Sequence, residues 1–219
     1  MKTIEFFESE LEDILNIHFN AKYYFKDIEY INKPDTVAEA VIANSTFYIT
    51  RLVNAFWRLG IIEISKLFQK SKNQHYNLID YLEELIANYE EYVWIHNLPK
   101  EKLCEWLDSI SGKEIKIIRD KIKIQRDNYF AHTDKNPTVR LWNVKLAIKE
   151  INSLLEITEK IIFELKLNCL HVHSDLEVGG MGKAGHILEA YCALKEKREM
   201  KIKEEFKEFS NEIHKRLKK

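Results

Sequence analysis

Apolar side chains return every third or fourth position along most of this chain, the period of amphipathic helices. From Ile4 to about Ile31 the recurrence runs through Phe7, Leu11, Ile14/Leu15 and His18/Phe19, which places them on one face of a long first helix, closed by Pro34-Asp35. Thr36 to Lys70 reads as a second long helical region with Val37, Val41, Ile42, Phe47, Ile49, Val53, Phe56 and Trp57 on a wide apolar arc and a break expected at Gly60. Shorter helices are expected over Asn77–Asn88 and Pro99–Ser109. Ser111-Gly112 turns the chain into a helix over Lys113–Ala131, and after a turn at Pro137 a further helix is expected over Val139–Leu167. Only three prolines and six glycines interrupt these stretches, so the pattern predicts an all-α fold, an antiparallel helical bundle with a helical extension at its C-terminal end.

The pattern changes after Leu167. Four of the six glycines (Gly179, Gly180, Gly182, Gly185) fall within seven positions, and helical character returns from about His186. This divides the chain into a bundle over residues 1–168 and, over 169–219, a glycine-containing linker with a charged helix. Lys195 to Lys219 holds ten Lys/Arg against six Glu, the composition of a solvated helix or of an appendage that adds dimer contacts or clamps RNA through its lysines.

With 219 residues, 45% of them hydrophobic and 32% charged, the chain can bury a sizeable core. Its net charge of -1 means that a nucleic-acid partner would be held by a local basic patch, not by a global field. Cys104, Cys169 and Cys192 are odd in number and widely spaced, which argues against a disulfide framework or zinc ribbon and for small buried hydrophobes in a reducing cytoplasm. The N-terminal sequence turns acidic where a signal peptide needs an apolar run, and no window approaches the apolar length of a membrane span.

One segment concentrates chemistry. On the helix from Lys113, Ile115, Ile118, Ile122 and Tyr129 make an apolar stripe, and Lys116, Arg119, Lys123 and Arg126 make a basic one beside it. The segment ends in Arg126-Asp127-Asn128-Tyr129-Phe130-Ala131-His132, which brings a permanent cation, a carboxylate and a titratable imidazole close together in sequence. On an ideal helix His132 lies about 120° around the axis from Arg126, so the two meet one phosphate only if His132 sits at a fraying helix end.

Arg126 and His132 with five residues between them, the polar Asp127 directly after the arginine, and the all-helical setting together resemble the HEPN superfamily. The segments Trp57-Arg58-Leu59, Ile62 to Phe68 and Arg126 to Asp134 are most similar to its AbiU-type abortive-infection branch, over about residues 5–167. The resemblance implies a HEPN-type bundle that forms a homodimer with two motif helices facing a shared cleft, in the cytoplasm. It implies a metal-independent endoribonuclease of a toxin–antitoxin or phage-defence system, with RNA and an antitoxin protein as partners. Some members are noncatalytic modules that bind nucleotide, RNA or protein, and that is the alternative. Several toxin members carry a Tyr two residues after the motif His as the target of a nucleotide-adding antitoxin; this chain has Asp134 there, which argues against control by that modification.

In the chemistry so implied, the His132 of one copy takes the proton of a ribose 2′-OH and that of the other protonates the departing 5′-oxygen. Arg126 holds the non-bridging oxygens against developing charge. Asp127 orients the imidazole or guanidinium, while Lys116, Arg119, Lys123 and Asn128 bind phosphate. No metal and no cofactor is called for. The plain alternative is that Arg126 and Asp127 form an ordinary surface ion pair and His132 caps a helix.

Three other signals are set aside. Gly180-Met181-Gly182-Lys183-Ala184-Gly185 matches a dinucleotide-binding spacing without the strand that it requires. Cys169, His171 and His173 lack a fourth metal ligand. The aromatic runs Tyr23-Tyr24-Phe25 with Tyr30, and Tyr89, Tyr92 and Trp94, fit a core or dimer interface better than base stacking.

Overall fold

The computed structural model describes residues 4–33, 36–45, 47–69, 76–92, 94, 98–130, 144–170 and 183–217. Among them the fold is all-α: α1 (Ile4–Asn32), α2 (Val37–Ser45), α3 (Phe47–Phe68), α4 (Leu78–Ala87), a 3₁₀ turn (Tyr89–Glu91), α5 (Lys100–Ser111), α6 (Lys113–Phe130), α7 (Ile148–Leu170) and α8 (Lys183–Leu217). No helix among the described residues is long and apolar enough to cross a membrane. The chain divides into two compact units, residues 1–25 with 55–179 and residues 26–54 with 180–219.

In the first unit α5 packs against α4, α6 and α7, and α6 against α7. The three-and-four spacing read from the sequence becomes the core: Leu11 and Ile14 of α1, Ile61, Ile64 and Leu67 of α3, Leu103 and Ile110 of α5 and Ile151 and Leu154 of α7 are 0% exposed. Polar ties span the helices as well. The Tyr81 hydroxyl of α4 donates to the Phe7 carbonyl of α1 at 3.3 Å, and Lys166 of α7 donates to Glu12 of α1.

Gly60 does not break a helix; it lies inside α3. A Cβ built there would stand 2.7 Å from Cζ of Phe25, whose ring is 1% exposed and meets Trp57 edge-on at 5.6 Å. The glycine admits a ring. Within the expected Thr36–Lys70 region α2 and α3 are separated at residue 46, which lies outside the described residues.

Helix starts follow local chemistry. Asn77 caps α4, its side chain accepting from the backbone N–H groups of Ile79 at 2.9 Å and Asp80 at 3.3 Å. Of the helix expected over Val139–Leu167, residues 139–143 lie outside the described residues, residues 144–147 are irregular and α7 begins at Ile148. There the Ala147 N–H donates to the Glu150 carboxylate at 2.8 Å while the Ala147 carbonyl accepts from Ile151 at 3.3 Å, the reach-back of a glutamate in the first helical turn that marks a helix start.

In the second unit α2 packs on α8. Thr36 and Glu39 form a reciprocal capping box at the start of α2, at 3.1 and 3.2 Å, and Tyr30 adds a bond to Glu39 at 3.1 Å. Ile28, Ile31, Ile42, Ile49 and Leu188 are buried here. Among the described side chains of α8, Leu188 is the buried one; the rest of 189–209 is exposed apart from the half-buried Cys192. The buried thiols expected from the sequence do not hold for two cysteines, because Cys104 is exposed one step from the Leu103–Trp106–Ile110 face and Cys192 is half-buried.

Candidate functional site

Five polar contacts fix the rotation of α6. The Trp57 indole N–H donates to Oε1 of Gln125 at 2.9 Å, and Nε2 of Gln125 donates to the Val144 carbonyl at 3.3 Å. Lys121 pairs with Glu150 of α7. Arg119 donates to the carbonyls of Ile110 at 3.0 Å and Phe68 at 3.1 Å, which satisfies backbone groups left open at the C-terminal ends of α5 and α3. Burial pushes the Arg119 guanidinium below its ordinary value, with the neighbouring Asp120 working against the shift.

With that rotation set, Ile122 and Gln125 are buried, Ile115 and Ile118 are half-buried, and Lys116, Ile117, Lys123 and Ile124 are exposed. The basic stripe is therefore divided. Arg119 is turned to the helix ends, while Lys116 and Lys123, two turns apart, stay in solvent with Arg126 one turn beyond. Arg126 keeps 26% of its side chain exposed, and its partner is the adjacent Asp127, whose Oδ1 lies 2.9 Å from Nε and 2.6 Å from a terminal guanidinium nitrogen. That carboxylate is itself 49% exposed. The side chain of Asn128 and the whole of His132 lie outside the described residues, as do His171, His173 and the first three residues of the Gly180–Gly185 run.

No known family model, curated protein or solved structure matches this chain. What the surface can do rests on its own groups. Lys116, Lys123 and Arg126 offer an anion three cationic sites on one side of a helix, and one carboxylate competes for the last of them.

Two sets of residues escaped the sequence reading. Gln125 joins α3, α6 and the approach to α7, next to Arg126. His18 is 0% exposed, with Nε2 3.8 Å from Oε2 of Glu159, an ion-pair distance and not a hydrogen bond. Lys22, one turn along α1, donates to both Glu159 oxygens at 2.6 and 2.7 Å. His18 and Lys22 together pull the Glu159 carboxyl down to about 2, against the raising effect of its partial burial. A histidine four positions before a lysine is visible in the sequence; the glutamate that joins them is 141 residues from His18, and nothing local points to it.

Proposed function

We propose that the chain is a metal-independent endoribonuclease of HEPN type, acting as a homodimer through Arg126 and His132 in a toxin–antitoxin or phage-defence system. The observation that carries this reading is the state of Arg126. The other arginine of the motif helix, Arg119, is spent on backbone carbonyls, whereas Arg126 stands at the solvent edge beside the exposed carboxylate of Asp127, in line with exposed Lys123 and Lys116. A further support is the outward face of α6, where Ile117 is 50% and Ile124 39% exposed. These two fall seven residues apart, on one line of the helix, and a second copy of α6 laid there would cover them.

In this mechanism the 2′-oxygen attacks phosphorus and the P–O5′ bond breaks, leaving a cyclic phosphate and a free 5′-hydroxyl. One His132 receives the 2′-OH proton and the other supplies a proton to O5′. Arg126 must leave Asp127 to hold the non-bridging oxygens, and Asp127 is then free to orient an imidazole. The 2.6 Å Arg126–Asp127 contact favours one second reading, a noncatalytic module in which the same cations bind nucleotide, RNA or a protein partner.

The test incubates the full chain with labelled RNA in EDTA and compares wild type with Arg126→Ala and His132→Ala. The expected result is cutting by wild type, binding and cutting both reduced in Arg126→Ala, and binding kept with a roughly 10²- to 10⁴-fold loss of cutting in His132→Ala. Binding without cutting by wild type across an RNA panel would replace the nuclease with the module.

A further inference from the structure

α8 runs for 35 residues, and beyond Leu188 the unit that contains it buries none of its described side chains. Yet this helix is not uniformly polar. Lys195, Glu199, Ile202, Phe206 and Phe209 follow one another at steps of four, three, four and three, the repeat that keeps side chains on one seam. The last three are large, apolar and in solvent: Ile202 is 54%, Phe206 73% and Phe209 62% exposed.

We propose that this seam is a self-association surface, on which α8 of a second copy packs antiparallel with Phe206 of each copy against Phe209 of the other. Charge selects both the occupant and its direction. Residues 195–209 carry six basic and five acidic side chains, a balance suited to another copy of the same helix and poorly suited to an anionic membrane or to RNA. A parallel in-register pair would set Lys195 on Lys195 and Glu199 on Glu199, which repel. The antiparallel pair removes both clashes, carrying Glu199 toward the partner's closing sequence at 214–216, which reads His-Lys-Arg.

The area sets the strength. At about 200 Å² per side chain, the three exposures leave roughly 380 Å² per copy and about 750 Å² per pair. That is below the ~1,200 Å² typical of a tight complex, even with the stems of flanking lysines and glutamates laid over it, so the association is weak and concentration-dependent. The inference is independent of the RNA reading, and an inactive protein would leave it standing.

The test uses the full chain in a background with the native cysteines changed to serine, carrying one spin label at a time in place of Leu194, Lys201 or Glu208. These positions share one side of α8 at spacings of seven. For the antiparallel pair, label separation along the axis is near zero at 208, about 20 Å at 201 and about 40 Å at 194. Phe206→Glu/Phe209→Glu, which alters only exposed side chains, should abolish all three distances, weaken association about tenfold or more in sedimentation, and leave the helical circular dichroism unchanged. Equal distances at the three positions would show a parallel pair and overturn the proposal. So would the absence of any distance between copies at high concentration, or distances unaltered by the double change. Binding of α8 to vesicles of phosphatidylserine and phosphatidylcholine with no distance between copies would assign the seam to a lipid surface instead. A dimer through α6 would keep its mass in Phe206→Glu/Phe209→Glu, whereas the α8 pair would lose both its mass and its label distances, so the double change separates the two interfaces.

Discussion

Replacing Glu159 by Gln tests the half-buried cluster between α1 and α7 most directly, since the amide keeps the shape of the protonated acid and drops the charge. The carboxyl falls from an ordinary value of 4.5 to about 2 because His18 and Lys22 stand against it. A carboxyl depressed on folding stabilises the folded state above its unfolded value and loses that contribution as pH falls toward the folded value. The 2.5-unit difference, 4.5 less 2, corresponds to about 3 kcal/mol at pH 7, and the same relation leaves roughly 1.5 kcal/mol at pH 3. The side chain is 24% exposed, so solvent screening trims these values only in part. Urea unfolding followed by circular dichroism at several pH values between 7 and 3 should show wild type more stable than Glu159→Gln at pH 7, with the gap shrinking below pH 4.5. A gap constant across the range, or a variant as stable as wild type at pH 7, would refute the electrostatic account and reduce the cluster to packing.

Other perturbations reach other parts of the fold. Gly60→Ala should destabilise by about 1–2 kcal/mol in the same unfolding assay, because the new methyl meets the enclosed Phe25 ring at 2.7 Å and outweighs the gain in helix propensity. Asn77→Ala removes the two cap bonds of α4 and should cost about 1 kcal/mol. Asp127→Asn frees Arg126 from its 2.6 Å partner and should tighten RNA binding while steepening its salt dependence, measured by fluorescence anisotropy across a salt series. Unchanged affinity in that variant would mean that Arg126 does not face the ligand.

Helical periodicity made the architecture legible where burial follows local spacing. α1 was expected over residues 4–31 and spans Ile4–Asn32, with Phe7, Leu11, Ile14 and Leu15 buried as the pattern required. Boundaries failed where partners are distant. Gly60 looked like a helix breaker because the Phe25 ring that occupies its space comes 35 residues earlier, and the start of α7 was masked by apolar residues upstream of Ala147. At the candidate site the basic stripe of α6 was readable from spacing, but the separation of Arg119 from its neighbours depends on the carbonyl of Phe68, 51 residues away. In the sequence His18 is one more position on an apolar face; that spacing implies its burial and carries no sign of its carboxylate partner on α7.

The Trp57–Gln125 hydrogen bond gives this chain a built-in optical reporter. The indole couples to the residue that immediately precedes Arg126, while its ring abuts Phe25. Any ligand that draws the end of α6 outward must disturb that bond, so with Trp94, Trp106 and Trp142 replaced by Phe a change in Trp57 emission would register occupancy of the basic surface without a label being attached to the protein.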